Sequence, residues 1–526
     1  KIMNTLDDSI VALDKFILST RDSGYKNSSS AVSELVDNAI QAGASEIQIS
    51  IDSPDVDVND EPATLTISVA DNGSGMDKRT LTQALRFGGS SRYNDRMGLG
   101  RFGMGLPNAS LGQARRVTVF TWQKPGTVLV SYLDVDEIAS GELSAIPPPR
   151  LLKRLPPQIS PIDASQGTCI QWERCDRLDN KRPSTLARKF HHGLGRTFRH
   201  FLVNGVRIRI NGEPVRPRDP LYLHPQSTPS GARPFQEPWT CELHSDPMDA
   251  DSAVGRVEVI FSELPVDAWH ELSNDKKREI GLANGAGVSV VRGRREVDFG
   301  WFFMGNKRRE NYDDWWRCEI KFDPVLDEAF GITHTKQQIR PKEYLVAALT
   351  PYIETIAKAL NARARSAYAT VKSAKVTVNA EQIACSRDER MKPLPVAAGT
   401  SARPELGRLI QRHPALRQIQ EREPQSTTAY HLVEDELGDA CFFKSLNVGG
   451  AVVAIINPRH QFYKAVYAPL VTGKELDQAE IANALQLVFL AAARAELAFT
   501  DSVDQRVIEK FRNEWSHAMD VLLAKR

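Results

Sequence analysis

Hydrophobic and polar positions divide the chain into four stretches with different patterns. From the start to about residue 180, short β-rich runs alternate with apolar residues at helical spacing, which predicts an α/β layered domain over 1–180. Further strand patterns among Pro-rich and Gly-rich loops predict a second α/β domain over 181–345. The predicted strands are 46–51, 63–69, 116–122, 128–133, 168–172, 206–210, 257–261 and 288–291.

The third and fourth stretches have fewer strand patterns. Leucines and isoleucines from Leu345 to Leu360 keep helical spacing, so a long helix is predicted over 342–375. The polar, Pro-containing segment 376–428 then predicts a linker, and together they form an exit helix and linker over 346–430. Residues 431–526 predict a small α+β domain suited to dimerisation or docking. Its β-rich runs are 441–446, 451–456 and 462–467, and its helical patterns are 475–499 and 504–525.

Composition narrows the class of protein. With 526 residues, 41% hydrophobic and 25% charged, the chain predicts about three globular domains rather than a disordered or fibrous protein. The six cysteines include no CxxC pair, which argues against a zinc module or a disulfide framework. No apolar run approaches the roughly 18 residues that a membrane span needs, so we expect a cytoplasmic protein with no membrane partner.

Glu34 and Asn38 lie four residues apart in the segment SELVDNAIQAGA, which begins at Ser33. In a helix this spacing places both side chains on one face. A carboxylate there can take a proton from water, and an amide oxygen one turn later can bind a hard cation such as Mg²⁺. Taken alone, the pair fits a solvated helix face better.

An apolar run is followed at once by the turn DNGSGM, which begins at Asp71. The Asp71 carboxylate can accept a hydrogen bond from the exocyclic amine of adenine. Gly73 and Gly75 lack Cβ atoms and let the backbone and Met76 lie close to the ring. A simple Gly-rich turn is the alternative, because this pattern is common.

Two glycine-rich segments come next and predict a phosphate-binding loop with a flexible lid. Backbone N–H groups freed by glycines can surround phosphate oxygens in front of a helix, here predicted near 107–109. A dinucleotide fold is disfavoured because no first strand directly precedes these glycines. The predicted contacts are Gly88, Ser90, Ser91, Gly98, Gly100, Arg101, Phe102, Gly103, Met104 and Gly105.

Arg101 and Thr168 have two interpretations each. Arg101 could contact a phosphate or a partner subunit, or be a solvated loop charge. Thr168, in the β-rich run 168–172, could reach the adenine edge or a water bound to Asp71.

In order and spacing, these four segments resemble the GHKL superfamily (gyrase, heat-shock chaperone, histidine kinase and MutL) across about 30–175. The resemblance implies a Bergerat-fold ATPase domain in which Glu34 activates water, Asn38 holds Mg²⁺, Asp71 contacts adenine and the 98–105 loop covers the phosphates of ATP. One position departs from the pattern, since many relatives carry Asp where this chain has Gln41. We still expect turnover, because Glu34 is present.

The branch of the superfamily follows from other features. The first histidine is His191, which excludes the histidine-kinase arrangement, and the tail after 376 is too short for a topoisomerase. The lid string and the long second domain look most similar to Microrchidia (MORC) ATPases, especially bacterial MORC-like proteins. That resemblance implies an ATP-dependent homodimer that compacts or clamps DNA, often in restriction or phage-defence systems.

The resemblance also implies a transducer-like second domain that supplies a lysine to the γ-phosphate. The segment GITHTKQQ, which begins at Gly331, looks like that loop, with Lys336 as the catalytic contact. A positive charge there would neutralise charge on the transferred phosphoryl group. A surface turn with a solvated lysine is the alternative.

The basic residues bear on the choice of partners. The net charge of +1 gives the whole molecule no electric field that attracts nucleic acid, so any basic surface must be local. A local basic face would bind double-stranded DNA without sequence specificity; solvated charges spread over several faces are the alternative. The function expected is therefore an ATP-driven DNA clamp. The alternative is a chaperone-like or protein-recruiting switch acting through the C-terminal domain. The basic residues are Lys181, Arg182, Arg188, Lys189, Arg196, Arg199, Arg207, Arg209, Arg216, Arg218, Arg292, Arg294, Arg295 and 307–309.

Overall fold

The computed structural model divides the chain into two compact units, Lys1–Asn361 and Ala362–Arg526. It describes all residues except 1–11, 23, 54–63, 90–103, 157–164, 250, 284, 333–337, 396–411, 414–427, 438–440, 474–475 and 525–526, and except the side chains of 372–376 and 476. The fold is mixed α/β, as predicted. None of the helices in the described residues has an apolar stretch long enough to cross a bilayer. The four domains drawn from the sequence stay a prediction.

The first sheet of the N-terminal unit has eight strands in the order β5-β4-β3-β6-β2-β1-β7-β8. Neighbouring strands are antiparallel except for the parallel pair β1 and β7. The strands are β1 Glu46–Asp52, β2 Leu65–Asp71, β3 Arg116–Trp122, β4 Val128–Asp134, β5 Arg150–Leu152, β6 Gly167–Cys175, β7 Arg207–Ile210 and β8 Glu213–Pro214. The helices are α1 Leu13–Asp22, α2 Ser28–Gln41, α3 Lys78–Leu85, α4 Gly105–Leu111, α5 Val135–Ala139, α6 Pro183–Thr197 and α7 Arg199–Val203.

Helix α2 is the central helix of this layer. The side chain of Asn27 accepts a hydrogen bond from Ser30 N at 2.8 Å and caps its N-terminus, which satisfies a backbone donor that the helix leaves free. Five of its apolar residues, including Leu35 and Val36, are at most 2% exposed and pack in the core beneath the sheet. Burial of this apolar face is what fixes the helix on the strands.

The second sheet of the N-terminal unit has the order β10-β11-β14-β12-β13, with β9 pairing β11. Its strands are β9 Arg233–Pro234, β10 Trp239–His244, β11 Val254–Glu263, β12 Val288–Arg292, β13 Arg295–Gly300 and β14 Trp316–Phe322. Helices α8 Val266–Trp269 and α9 Asn274–Glu279 lie between β11 and β12, and α10 Asp327–Phe330 follows β14.

Helix α11, Glu343–Arg387, begins where the sequence predicts but continues past 375. Leu345, Leu349 and Ile353 are fully buried in the core of the second sheet, which confirms their helical spacing. The predicted linker is therefore wrong for 376–387. The helix persists because Ala380 and Ala384 pack into the core of the C-terminal unit.

A buried charge network joins α6 and α7 to the second sheet. Arg199 is 2% exposed and places Nη1 2.6 Å from Glu296 Oε2, and it also pairs with Glu319. Although burial raises the pKa of Glu319, the Arg199 charge lowers it below its ordinary range. Because breaking such a pair leaves an unpaired buried charge, the network holds the two sheets in one arrangement.

The C-terminal unit contains a three-stranded sheet in the order β15-β17-β16. The strands are β15 Tyr430–Glu434, which the sequence analysis missed, β16 Phe443–Val448 and β17 Ala451–Ile456. The helices are α12 Ala468–Thr472, α13 Leu476–Leu497 and α14 Ser502–Leu523. The strand predicted over 462–467 is wrong, because Tyr463–Tyr467 is a π-helix. Short apolar runs do not distinguish strand from helix, and here packing of Tyr467 against Phe489 decides.

Candidate functional site

One face of α2 carries Glu34, Asn38 and Ala42 at intervals of four residues, the last just beyond the helix end. Glu34 is 3% exposed, whereas Asn38 is partly exposed. The distance from the first to the third position is about 12 Å along the helix axis. The face is long enough for an extended ligand with different groups at its two ends.

At one end of this face, Glu34 lies against the start of α4. A Cβ atom on Gly105 would lie 2.0 Å from Glu34 Oε1, so any larger residue at 105 would displace the carboxylate. The phenol of Tyr25 also hydrogen-bonds to Glu34, and burial raises the pKa of Tyr25 well above its ordinary range. The neutral phenol therefore donates to Glu34 and fixes its orientation.

At the other end lies Asp71, the last residue of β2. Its Oδ1 accepts a hydrogen bond from Gly73 N at 2.7 Å, and its carboxylate also accepts from the backbone N–H of Thr168. Burial raises the pKa of Asp71 to about 6, against the lowering effect of these two donors. The carboxylate is thus a buried acceptor that is still ionised at neutral pH.

The turn after Asp71 is held tightly between two strands. Gly75 has φ +63°, and a Cβ atom there would lie 2.2 Å from Trp122 O. Met76 N donates to Thr121 Oγ1 at 2.8 Å, and that oxygen lies 3.1 Å from Thr168 Oγ1. The threonine pair connects the turn to β3 and β6.

The same turn is attached to α2. Ser74 N donates to Ala42 O at 3.0 Å, and a Cβ atom on Gly73 would lie 2.8 Å from Ala42 Cβ. The structure therefore brings Glu34, Asn38 and Asp71 to one side of α2, with Gly105 beside the first and Gly73 beside the last.

Three of the predicted phosphate-loop contacts lie in the described residues. Met104 and Gly105 form the start of α4, and Gly88 has φ +77° after α3, with open space around its Cα. The remaining predicted contacts lie outside the described residues; they are Ser90, Ser91, Gly98, Gly100, Arg101, Phe102, Gly103 and Lys336.

A connection from the second sheet into this site was not predicted from the sequence. Arg295, the first residue of β13, places Nε 2.7 Å from Asp37 Oδ2 and 2.9 Å from Oδ1. Asp37 is 0% exposed and Arg295 is 3% exposed. Asp37 lies three residues after Glu34 and so could have been found from helical spacing, whereas nothing near Arg295 indicates its partner.

The segment that carries this site matches a family of known proteins. Residues 25–166 match the family described as histidine kinase-, DNA gyrase B-, and HSP90-like ATPase. The match supports a GHKL ATPase domain in this segment. Among solved structures, the chain is similar to the "Crystal Structure of N terminal domain of a DNA repair protein", with 14% identity, a TM-score of 0.40, and coverage of 65% of this chain and 97% of that one. No curated protein sequence matches this chain.

The matched segment can hold ATP with Mg²⁺ only if its donors suit that pair. In the described part of the chain, no group of three or more His, Cys, Asp or Glu side chains could hold a metal ion alone. Mg²⁺ in nucleotide sites takes most of its ligands from phosphates and water, so few protein ligands are needed, and the amide oxygen of Asn38 can supply one. The buried acceptor Asn108 Oδ1, three residues after Gly105, also has no hydrogen-bond partner among the described residues.

The basic residues do not form the single exposed face that was one interpretation of the sequence. Arg199, Arg292, Arg295 and Lys307 are at most 6% exposed and form ion pairs inside the protein, so that interpretation is wrong for these four. Their acidic partners were distant in sequence and could not be assigned to them beforehand. The cations that stay exposed are Lys181, Arg182, Arg188, Lys189, Arg207, Arg216, Arg218, Arg294, Arg308 and Arg309.

Proposed function

We propose that this chain is a magnesium-dependent ATP hydrolase whose ATP-bound heads pair and thereby clamp or remodel DNA. The observation that carries the hydrolase proposal is the face of α2, with Glu34 against Gly105 at one end and the Asp71 turn at the other. Such a face can take the phosphates at the glutamate end and the base at the aspartate end.

At the base end, Asp71 acts as a hydrogen-bond acceptor. Its two backbone donors hold the carboxylate in place, and its burial strengthens a bond to the exocyclic amine of adenine. Thr168 and Thr121 position the turn, and Met76 supplies an apolar surface for the ring.

At the phosphate end, Glu34 acts as the general base. Tyr25 orients its carboxylate, which would accept a proton from a water attacking the γ-phosphate. Mg²⁺ bound at Asn38 would neutralise charge on the phosphate oxygens. The lid residues around Gly98–Gly105 and the lysine Lys336 are proposed to cover and contact the phosphates, on the strength of the family resemblance.

Isothermal calorimetry with Mg-ATP tests the site directly. We expect heat with ATP, and a loss of affinity when EDTA removes the magnesium. Asn38→Ala is expected to weaken the magnesium dependence, whereas Asn447→Ala, in the C-terminal unit, is the matched control and is expected to bind like the wild type. No heat with Mg-ATP would end the proposal.

DNA binding is the second half of the proposal. It rests on the exposed cations around α6, where Arg218 N bonds to Gly195 O and brings Arg216 and Arg218 beside that helix. Such contacts neutralise phosphates without base recognition, so affinity should fall steeply with salt. The MORC-like branch and a role in bacterial restriction or phage defence are proposed from the resemblance.

Gel filtration with a non-hydrolysable ATP analogue, with and without double-stranded DNA, tests this half. The clamp predicts a nucleotide-dependent dimer that retains DNA and an ATPase rate that DNA stimulates. Arg216→Glu with Arg218→Glu should weaken DNA binding, whereas Arg308→Glu with Arg309→Glu, at two other exposed positions, is the control of equal charge change. ATPase stimulation by a protein partner alone, with no effect of DNA, would instead support the protein-recruiting switch.

A further inference from the structure

The C-terminal unit exposes an unusual amount of apolar surface. Of the 18 large hydrophobic residues that are exposed in the described part of the chain, nine lie between 481 and 522. Exposed apolar patches of this kind mark surfaces that bind other proteins. The nine are Ile481, Val488, Phe499, Val503, Val507, Phe511, Trp515, Val521 and Leu522.

Helix α13 is apolar on opposite sides. Its inner side, with Phe489 and Leu490, packs into the core of the C-terminal sheet. Its outer side repeats small and apolar residues at intervals of three and four and is exposed: Ile481, Ala484, Val488, Ala491 and Ala495. The fifteen residues 481–495 contain one charged side chain, Arg494, which is buried against Asp388. A helix that is apolar all round belongs in a protein interior.

Helix α14 carries a second exposed stripe. The positions are Val507, Phe511, Trp515, Ala518 and Leu522, again three or four residues apart. Its buried side is different, since Arg512 and Ser516 face the unit and bond to Glu496 and to Phe442 N. Within the stripe, Trp515 places one side of its ring against Phe442 of the core, with ring centroids 4.8 Å apart, and stays 42% exposed. Val507, Phe511 and Leu522 are more than half exposed.

We propose that the α14 stripe forms a homodimer interface, in which α14 of one chain packs antiparallel to α14 of a second copy. The two-fold axis passes near residues 512 and 513. This register places Phe511 opposite the partner's Trp515 and Val507 opposite the partner's Ala518, so apolar residues meet along the middle of the stripe, while Leu522 at its end lies opposite the partner's Asp504.

Charge complementarity favours a second copy over another partner. Lys510 and Glu514 are exposed at the edge of the α14 stripe, on its same side. In the antiparallel register, each Lys510 lies opposite the partner's Glu514, and the two-fold axis repeats the pair. Asp504 lies at the far end of the stripe, where it stays at the solvated rim. Such rim pairs select partner and register more than they add affinity.

Sedimentation velocity of the full chain without nucleotide tests the interface. We expect a dimer at micromolar concentration. Phe511→Glu and Val507→Glu should each weaken it roughly thirtyfold or more, because each buries a charge in the interface. Val378→Glu is the matched control, since Val378 is 49% exposed on α11, and it should leave the dimer intact. Circular dichroism verifies that each variant is folded.

Charge reversal tests the register without altering the apolar core. Lys510→Glu creates two repulsive contacts in its homodimer, as does Glu514→Lys, so each should dimerise roughly tenfold more weakly. An equimolar mixture of the two variants should form heterodimers of near wild-type strength, because only there do opposite charges meet between chains. Within each chain the like charges remain, so recovery cannot come from contacts inside one helix.

The outcomes separate this interface from ATP-driven pairing of the heads. Asn38→Ala and Glu34→Gln should leave the nucleotide-free dimer unchanged. A chain that dimerises only with ATP would overturn the C-terminal interface and leave the hydrolase proposal standing. A nucleotide-free dimer that survives Phe511→Glu, or variants that do not recover on mixing, would also reject it.

Discussion

Arg295 at the start of β13 forms a buried ion pair with Asp37 of α2, with Nε 2.7 Å from Oδ2. Asp37 lies between Glu34 and Asn38 on the same helix. The second sheet is therefore attached by charge to the helix that carries both proposed phosphate-end residues. A shift of that sheet would move α2 or break the pair.

Loss of this pair is expected to affect both stability and turnover. Arg295→Met leaves Asp37 buried without its cation, which should lower the free energy of unfolding by about 3–5 kcal/mol. Urea denaturation measures this loss. Arg294→Met, at the exposed neighbouring position, should change it by less than about 0.5 kcal/mol. Equal effects of the two substitutions would show that the ion pair has no structural role.

Glu34→Gln should separate binding from hydrolysis. The amide keeps the size of the side chain and its contact with Gly105 but cannot take a proton. ATP hydrolysis should fall by about 10²–10⁴-fold, while calorimetry should show ATP affinity within a fewfold of wild type. Glu137→Gln on α5 serves as the control. A Glu34→Gln variant that hydrolyses ATP normally would remove Glu34 from the mechanism.

Asp71 should make nucleotide binding depend on pH. Its pKa of about 6 means that the acceptor is ionised at pH 7 and becomes protonated as the pH falls through 6. ATP affinity should decline over that range. The phosphates of ATP also titrate near this pH, so the pH dependence of GTP affinity is measured in parallel to correct for that contribution. Asp71→Asn should bind ATP weakly at every pH.

The same residue should affect the stability of the nucleotide-free protein with the opposite sign. Folding raises the pKa of Asp71 from 3.8 to about 6, so ionised Asp71 disfavours the folded state. This cost is absent well below pH 3.8, grows as the pH rises, and is complete above about pH 6. Asp71→Asn should therefore stabilise the nucleotide-free protein at pH 7 by on the order of 3 kcal/mol. Thermal unfolding at pH 4 and pH 7 measures the difference, and a destabilised variant at pH 7 would contradict it.

Gly75 and Gly126 offer a matched test of the turn. Both have positive φ, of +63° and +76°, but a Cβ atom at 75 would lie 2.2 Å from Trp122 O, whereas the space at 126 is open. Gly126→Ala should cost about 1 kcal/mol for its backbone conformation alone. Gly75→Ala should cost several kcal/mol and weaken ATP binding as well, because the turn must move. Comparable losses in the two variants would show that the close approach is unimportant.

Local features of the site could be predicted from the sequence by itself. Helical periodicity places Glu34 and Asn38 on one face, and an apolar run that stops at Asp71 places a carboxylate at a strand end, since both depend only on the repeat of the backbone. The strand over 116–122 and the buried spacing of Leu345, Leu349 and Ile353 follow for the same reason. The resemblance to the GHKL pattern is visible in the sequence because each part of that pattern is a short segment of neighbouring residues.

The tertiary structure alone decided which distant groups meet. Gly105 against Glu34, Arg295 against Asp37 and Arg199 against Glu296 join residues between about seventy and 258 positions apart, and no repeat of the backbone encodes such pairs. Packing also turned the apolar run at Tyr463–Tyr467 into helix and took Arg292 and Lys307 out of solvent. Each outcome depends on the free energy of the whole packed unit, in which burial and charge pairing outweigh local preference.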